Sequence, residues 1–381
     1  MNLSIKPPRI QSIDALRGLV MLLMLLDHVR EHFFYYVPMS DPVNINTTES
    51  SLFFTRLSAH FCAPIFVFLA GLSAYLYGQK KQEGKQSLMV FLLKRGLFII
   101  ILEITLVNFL WFGTYKTIFL QVMWAIGLSM ISLGFLSKLP RLWIGIIGFS
   151  IVAGHNLLSP IHFEPNEFGY VIWTILHDRG FLISDGLIPI KVSYPVLPWI
   201  GVILLGYFAG PIFSDKMTSE KRIKTLSTLG ISSLVLLLII RGFNIYGETS
   251  HWFVQDSSVK TMMSFVNFTK YPPSLDFILL TIGIGLLLLS LFEKINTKYL
   301  LLLKTYGSSP MFFYLFHLLI LLIIYQICIL IDGLNKGNYY GVDSVGEIWL
   351  ITFILAIALY YPTKLFSEYK RKSTYPLIKY F

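Results

Sequence analysis

The chain has 381 residues, of which 55% are hydrophobic, 15% aromatic and only 14% charged. A soluble globular chain carries about 25% charged residues, so a water-soluble enzyme of this length, a disordered chain and a coiled coil are excluded. The two cysteines exclude a disulfide-stapled ectodomain and a Cys-rich zinc module. A net charge of +10 would suggest nucleic acid in a soluble protein; in a membrane protein it points to basic cytoplasmic loops, and no nucleic-acid partner is expected.

A membrane helix needs about 20 mostly apolar residues. Ten runs reach or approach that length: 15–36, 53–77, 88–112, 116–137, 142–158, 196–213, 226–243, 275–292, 306–331 and 347–363. They are apolar on all sides and longer than the roughly ten-residue alternating strands of a β-barrel. The expected fold is therefore all-α, a polytopic transmembrane helix bundle of about ten spans, forming one domain over 1–381. The first run holds Asp14, Arg17, Asp27 and His28, with no small-residue cleavage site after it. It reads as an uncleaved helix rather than a signal peptide.

With the N-terminus in the cytoplasm, 22 of the 31 Lys and Arg fall on the inner side and nine on the outer. That asymmetry predicts both termini inside and a multi-pass protein of the cell membrane, the inner membrane in a bacterium. The inner loops 78–87, 138–141, 214–225 and 293–305 are short and basic. The outer loops 37–52, 159–195, 244–274 and 332–346 are longer and rich in aromatic and polar residues, the kind of segment that is more often functional than merely connecting.

Polar residues at membrane depth are costly, so they mark candidate sites. The first helix carries Asp14-Ala15-Leu16-Arg17-Gly18 near its start and Asp27-His28-Val29-Arg30-Glu31-His32 near its end. Arg17 and His28 are eleven apart, about three turns plus 20°, so they share one stripe about 16 Å long. Asp14 stands three residues before Arg17 and can orient it, and Gly18 admits a close neighbour. The plainer reading makes Arg17 an inner anchor and His28 a marker of the outer interface. In the second helix, His60-Phe61-Cys62-Ala63-Pro64 brings a histidine to the same side as His28, and Pro64 should kink the helix.

All eight histidines lie on the outer side or at mid-membrane, and imidazole is the side chain suited to moving protons near neutral pH. His317, with Tyr314 three residues before it, reads as a buried, satisfied histidine whose loss should chiefly affect stability. His28 and His32 are at i,i+4, but no third ligand stands at a diagnostic spacing, so no metal is expected. On the outer face, Lys270-Tyr271-Pro272-Pro273-Ser274-Leu275-Asp276 makes a helix start, either a plain cap or a hold for an anionic or hydroxyl-rich acceptor. Tyr194-Pro195-Val196-Leu197-Pro198-Trp199 makes another.

The run Ser12 to Gly18, the Asp27-His28-Val29-Arg30 end and the segment His60 to Gly71 resemble bacterial relatives of the heparan-α-glucosaminide N-acetyltransferase catalytic domain. Tyr194 to Trp199, Lys270 to Ser274 and Pro310 to His317 look like the same group, and the Arg17-x10-His28 spacing is similar to a signature of membrane acyltransferases that acetylate surface sugars. The resemblance implies transfer of an acetyl group from cytoplasmic acetyl-CoA to an amine or hydroxyl of a sugar or glycan across the membrane. The animal enzyme's reactive histidine, between its first two helices, corresponds roughly to Ser50 here, with His28, His32 and His60 flanking it. In this reading His28 and His60, polarised by Asp27 or Glu31, are catalytic, as base or acyl carrier. Arg17, Asp14, Lys94, Arg95 and Lys304 serve CoA, and Lys270, Tyr271 and Ser274 the acceptor. A homodimer is possible in such a bundle. The alternative class is a transporter or permease for a sugar carrier or small solute, against which stands the lack of a visible inverted repeat. A membrane scaffold without chemistry explains neither the outer histidines nor the Asp14–Arg17–His28 stripe.

Overall fold

A computed structural model describes residues 10–80, 84–295, 298–375, 378 and 381, with the side chains of 80 and 84–87 left aside. Lys6, Arg9, Lys81 and Lys379 of the charge asymmetry lie outside the described residues. The chain is mostly helical. In order come α1 (Gln11–Phe33), α2 (Ser50–Ser58), α3 (Cys62–Lys80), α4 (Gly84–Leu102) and α5 (Asn108–Phe112), then α6 (Val122–Leu136), α7 (Arg141–Gly154), α8 (Tyr170–Leu176), α9 (Leu197–Phe208) and α10 (Ser219–Gly242). The last are α11 (Ser258–Phe265), α12 (Leu275–Lys294), α13 (Leu301–Ser308), α14 (Pro310–Asp332) and α15 (Val345–Lys372). Each of the ten apolar runs falls largely on helix. Among the described residues, six helical segments are long and apolar enough to cross a membrane: Ser50–Gln79, Arg141–Leu158, Ser219–Gly242, Leu275–Lys294, Pro310–Asp332 and Val345–Lys372. The helices α7, α10 and α15 expose Trp143, Phe149, Leu238, Phe353 and Ile357, faces that are stable against lipid and not against water. This is a multi-pass membrane protein.

The all-α expectation needs correction in one place. Strands β1 (Ile118–Leu120), β2 (Gly180–Ile183) and β3 (Ile190–Val192) form a small sheet of order β1-β3-β2, with β1 parallel and β2 antiparallel to β3. The fourth apolar run therefore starts as strand, and its helix begins only at Val122. The reason is local. Glu103, in a π-helical turn between α4 and α5 (Glu103–Val107), accepts from the N–H of Gln121 (3.3 Å) and Met123 (3.1 Å) and so caps α6. Asn108 holds Phe119 through both its N–H (2.7 Å) and its carbonyl (3.0 Å), which fixes the strand beside α5. The ninth run is also divided, at Ser309 between α13 and α14.

Small residues set the helix crossings. A Cβ on Gly18 would sit 1.8 Å from the Leu303 carbonyl oxygen, and one on Gly307 1.8 Å from that of Asp14. The α1 and α13 backbones therefore touch, the close approach expected when lipid offers no hydrophobic drive and packing must come from contact. Gly71 and Gly206 do the same for α3 and α9, facing the carbonyls of Ile203 and Phe68 at 2.0 Å each. Pro64 lies in the first turn of α3, directly after a single 3-10 turn, Ala59–Phe61, that joins α2 to α3.

Candidate active site

A cavity of about 490 Å³ runs between α1, α3, α4, α6 and α14. Arg17 and His28 both line it, so the stripe inferred from their spacing is one wall of a single space about 16 Å long. The middle is apolar. Met21 and Met24 of α1 face Ala63, Phe66 and Ala70 of α3, and the alanines leave the room.

One end is basic. Arg17, Arg95 and Lys370 line it together with Asp14. Arg17 pairs with Asp14 at 3.1 Å and contacts the Ser73 hydroxyl, so the i,i+3 orientation expected of Asp14 is present. Lys370 Nζ donates to the carbonyl oxygen of Phe381 at 2.6 Å. Lys94 and Lys304 do not line the cavity: Lys94 is exposed, and Lys304 donates to Gln11 at 2.8 Å.

The other end holds His28, 9% exposed. Its Nδ1 lies 2.7 Å from His317 Nε2, and His317 Nδ1 lies 2.7 Å from the Phe313 carbonyl oxygen. A carbonyl can only accept, so His317 Nδ1 carries a proton. With both rings neutral, His317 Nε2 is then an acceptor and His28 Nδ1 the donor to it. His28 Nε2 is left with its lone pair, on a ring that lines the cavity. The tautomer is thus wired by a chain of two bonds that ends on a helix carbonyl. Behind the pair, Trp111 packs edge-on to His28 (4.6 Å between ring centroids) and stacks on His32 (5.1 Å). His32 Nδ1 bonds the His28 carbonyl oxygen at 2.8 Å.

His317 is buried with both nitrogens bonded, as expected, and one of its partners is His28. Other expectations change. Asp27 does line the cavity, but its carboxylate accepts from Arg30 Nε at 3.0 Å and Nη2 at 2.7 Å, and Glu31 accepts from the same Nη2 at 2.9 Å. Neither acid bonds His28. His60 is 4% exposed, and its ring packs on Phe277 (5.1 Å) with both nitrogens lacking a partner among the described residues. It does not line the cavity. Ser274 caps α12, accepting from Phe277 N–H at 3.1 Å, and does not line the cavity. Ser50 is exposed at the start of α2.

Lys270 and Tyr194 do line the His28 end. Asp41 fixes the Lys270–Tyr271 backbone, accepting both N–H groups at 3.1 and 2.9 Å, and is itself paired with Arg56 at 3.1 Å. Burial pushes the Asp41 carboxyl up, against the pull of Arg56 and Lys270. Burial alone would favour neutral Lys270, but Tyr271, Asp27 and Glu31 outweigh it, and its pKa lies above the usual lysine value. Burial raises Tyr194 well above an ordinary phenol, and Tyr271 adds to this.

Residues 9–242 match the family model described as heparan-alpha-glucosaminide N-acetyltransferase, catalytic. The chain belongs to this family. No curated protein matches it. The match spans α1 to α10 and so contains Arg17, His28, His60, Arg95 and Tyr194. It stops before Lys270, Tyr271 and Ser274, and before His317 and Lys370. The cavity joins Lys270 and Lys370 to the matched half, and the hydrogen bond to His28 joins His317. The signal for Asp27's real partner was in the sequence, since Arg30 stands at i+3. For the His28–His317 pair there was none, because the two are 289 residues apart.

Proposed function

We propose that this membrane N-acetyltransferase relative moves an acetyl group from acetyl-CoA, bound from the cytoplasmic side, to an amine or hydroxyl of a sugar or glycan on the other side. The carrying observation is that Arg17 and His28 share one cavity, cationic at one end and histidine-bearing at the other. In this reading about ten helices span a cell membrane with both termini in the cytoplasm, as the Lys and Arg asymmetry favours. The CoA phosphates meet Arg17, Arg95 and Lys370, Arg17 offering the planar fork suited to phosphate. The pantetheine arm lies along the methionines and alanines and brings the thioester to His28.

His28 Nε2 then acts as general base. It takes the proton from the acceptor N–H or O–H as that atom attacks the thioester carbonyl carbon. When the C–S bond breaks, the CoA thiolate takes the proton back from the imidazolium. His317 holds His28 in the tautomer with Nε2 unprotonated. Asp27 acts through Arg30, keeping the guanidinium folded onto α1 and away from the histidine.

CoA binding tests the reading. Purified protein in nanodiscs should bind CoA, and Arg17→Ala should weaken binding about tenfold or more, since a charge-assisted contact contributes about 1.5–3 kcal/mol. Absence of CoA binding to the wild type would contradict the proposal and favour a transporter.

A further inference from the structure

At the His28 end of the cavity, two buried hydrogen-bond donors are unspent. Lys270 is 7% exposed, and its ammonium has no hydrogen-bond or ion-pair partner among the described residues. Its polar contact is the face of the Tyr271 ring, 5.2 Å from Nζ to the centroid. Tyr194 is 9% exposed. A hydrogen bond of 3.0 Å joins its hydroxyl to that of Tyr271; with Tyr271 as the donor, the Tyr194 O–H proton has no acceptor among the described residues. Both side chains line the cavity with His28.

Their mount is built for position. Tyr271 touches both donors, its ring 4.7 Å from that of Tyr194. Asp41 grips the backbone of Lys270 and Tyr271, and the Arg179 guanidinium lies over the Tyr271 ring, 4.7 Å from its centroid. Two fixed donors lining one cavity with a base form the arrangement that stabilises charge developing on a carbonyl oxygen.

We propose that the Lys270 ammonium and the Tyr194 hydroxyl form the oxyanion hole for the thioester carbonyl, rather than a grip on the acceptor. The inference rests on the acyl-transfer reading above and adds its electrophilic half. The acceptor lone pair adds to the carbonyl carbon, and the C=O π pair moves onto oxygen. Lys270 Nζ–H and Tyr194 Oη–H donate to that oxygen without giving up their protons. The acceptor's proton goes to His28 Nε2. The oxyanion then reforms C=O, the C–S bond breaks, and the leaving thiolate recovers the proton from His28.

The test uses the full chain with the His28→Ala substitution, which stops turnover, and acetyl-CoA carrying ¹³C at the carbonyl. Isotope-edited infrared spectra should show the bound thioester band below its position in water. Adding Lys270→Met, or separately Tyr194→Phe, should return it toward the free value while acetyl-CoA affinity stays within about twofold, which also shows that each variant is folded. On the His28 background of the wild type, each substitution should lower kcat by about 10²–10³. A wild-type protein that fails to bind acetyl-CoA overturns the transfer reading itself. Binding with a carbonyl band unmoved by either substitution overturns the oxyanion hole alone. So does a Lys270→Met protein whose acceptor KM rises while kcat holds.

Discussion

His28 and His317 face each other between α1 and α14, whereas His155, His162 and His177 gather around Asp178 at the end of α7 and in the loop leading to α9. The two groups use the same side chain in opposite ways. In the second, His177 spends both nitrogens, one on Asp178 at 3.1 Å and one on the His155 carbonyl oxygen at 3.1 Å, and Trp173 stacks on it at 5.0 Å. His155 is 1% exposed with neither nitrogen partnered. His162 pairs with Asp178 at 2.8 Å and is exposed. None of the three lines the cavity. In the first group, one nitrogen of His28 is spent on His317 and the other is left at the cavity. A histidine does chemistry when its hydrogen bonds fix one nitrogen and a ligand space meets the other. Membrane depth, histidine content and an unspent nitrogen do not by themselves separate the groups, since His155 leaves both nitrogens unpartnered; an unspent nitrogen on a ring that lines the cavity does.

Substitutions should separate them as sharply. His28→Ala should lower acetyl transfer by about 10²–10⁴ with CoA affinity kept, while His177→Ala should leave turnover within about twofold. Transfer of labelled acetyl to a panel of amino sugars in inverted vesicles measures both. Equal losses at the two positions would erase the distinction.

His317→Ala should cost about 10² in kcat, near the lower end of the loss for a general base, because His28 is then free to protonate Nε2 instead of Nδ1. His317→Gln can still accept from His28 Nδ1 through its amide oxygen and should recover part of that loss. A purely structural role for His317 would give equal activity per folded molecule in both variants.

Much of this site is legible in the sequence, and the illegible parts have physical causes. The Arg17–His28 stripe follows from helical periodicity alone, and Asp14 at i−3 of Arg17 from the same rule. Gly18 marks a close contact, but nothing in the sequence specifies its partner on α13, because helix pairing is a tertiary choice. His317 reads as a buried residue from the apolar and aromatic neighbours of its own turn, and it is buried; its bond to His28 comes from α14 packing on α1. Glu103 stands in an apolar run with no sequence neighbour to mark a role, yet it accepts the Gln121 and Met123 N–H groups at the start of α6. His60 carried the right sequence neighbours for catalysis, but the turn before Pro64 seats its ring on Phe277.

Two smaller effects sharpen the contrast. Arg17→Lys should restore only part of the CoA affinity lost in Arg17→Ala, since a single ammonium cannot reproduce the two parallel hydrogen bonds of the fork; isothermal titration measures it. His155→Phe should leave the melting temperature unchanged or raise it, because an apolar ring of similar shape replaces a buried polar one without partners. His28→Phe, at a position of similar burial, should abolish transfer. A marked loss of stability in His155→Phe would show that His155 has a polar role.

The most direct measurement is a structure of the full chain with acetyl-CoA bound. Phosphates beside Arg17 and Arg95, with the thioester carbon within about 4 Å of His28 Nε2, a near-attack approach for a base acting on an acceptor at that carbon, are the predicted result. Acetyl-CoA bound outside this cavity, or with its thioester at the Arg17 end, would contradict the account.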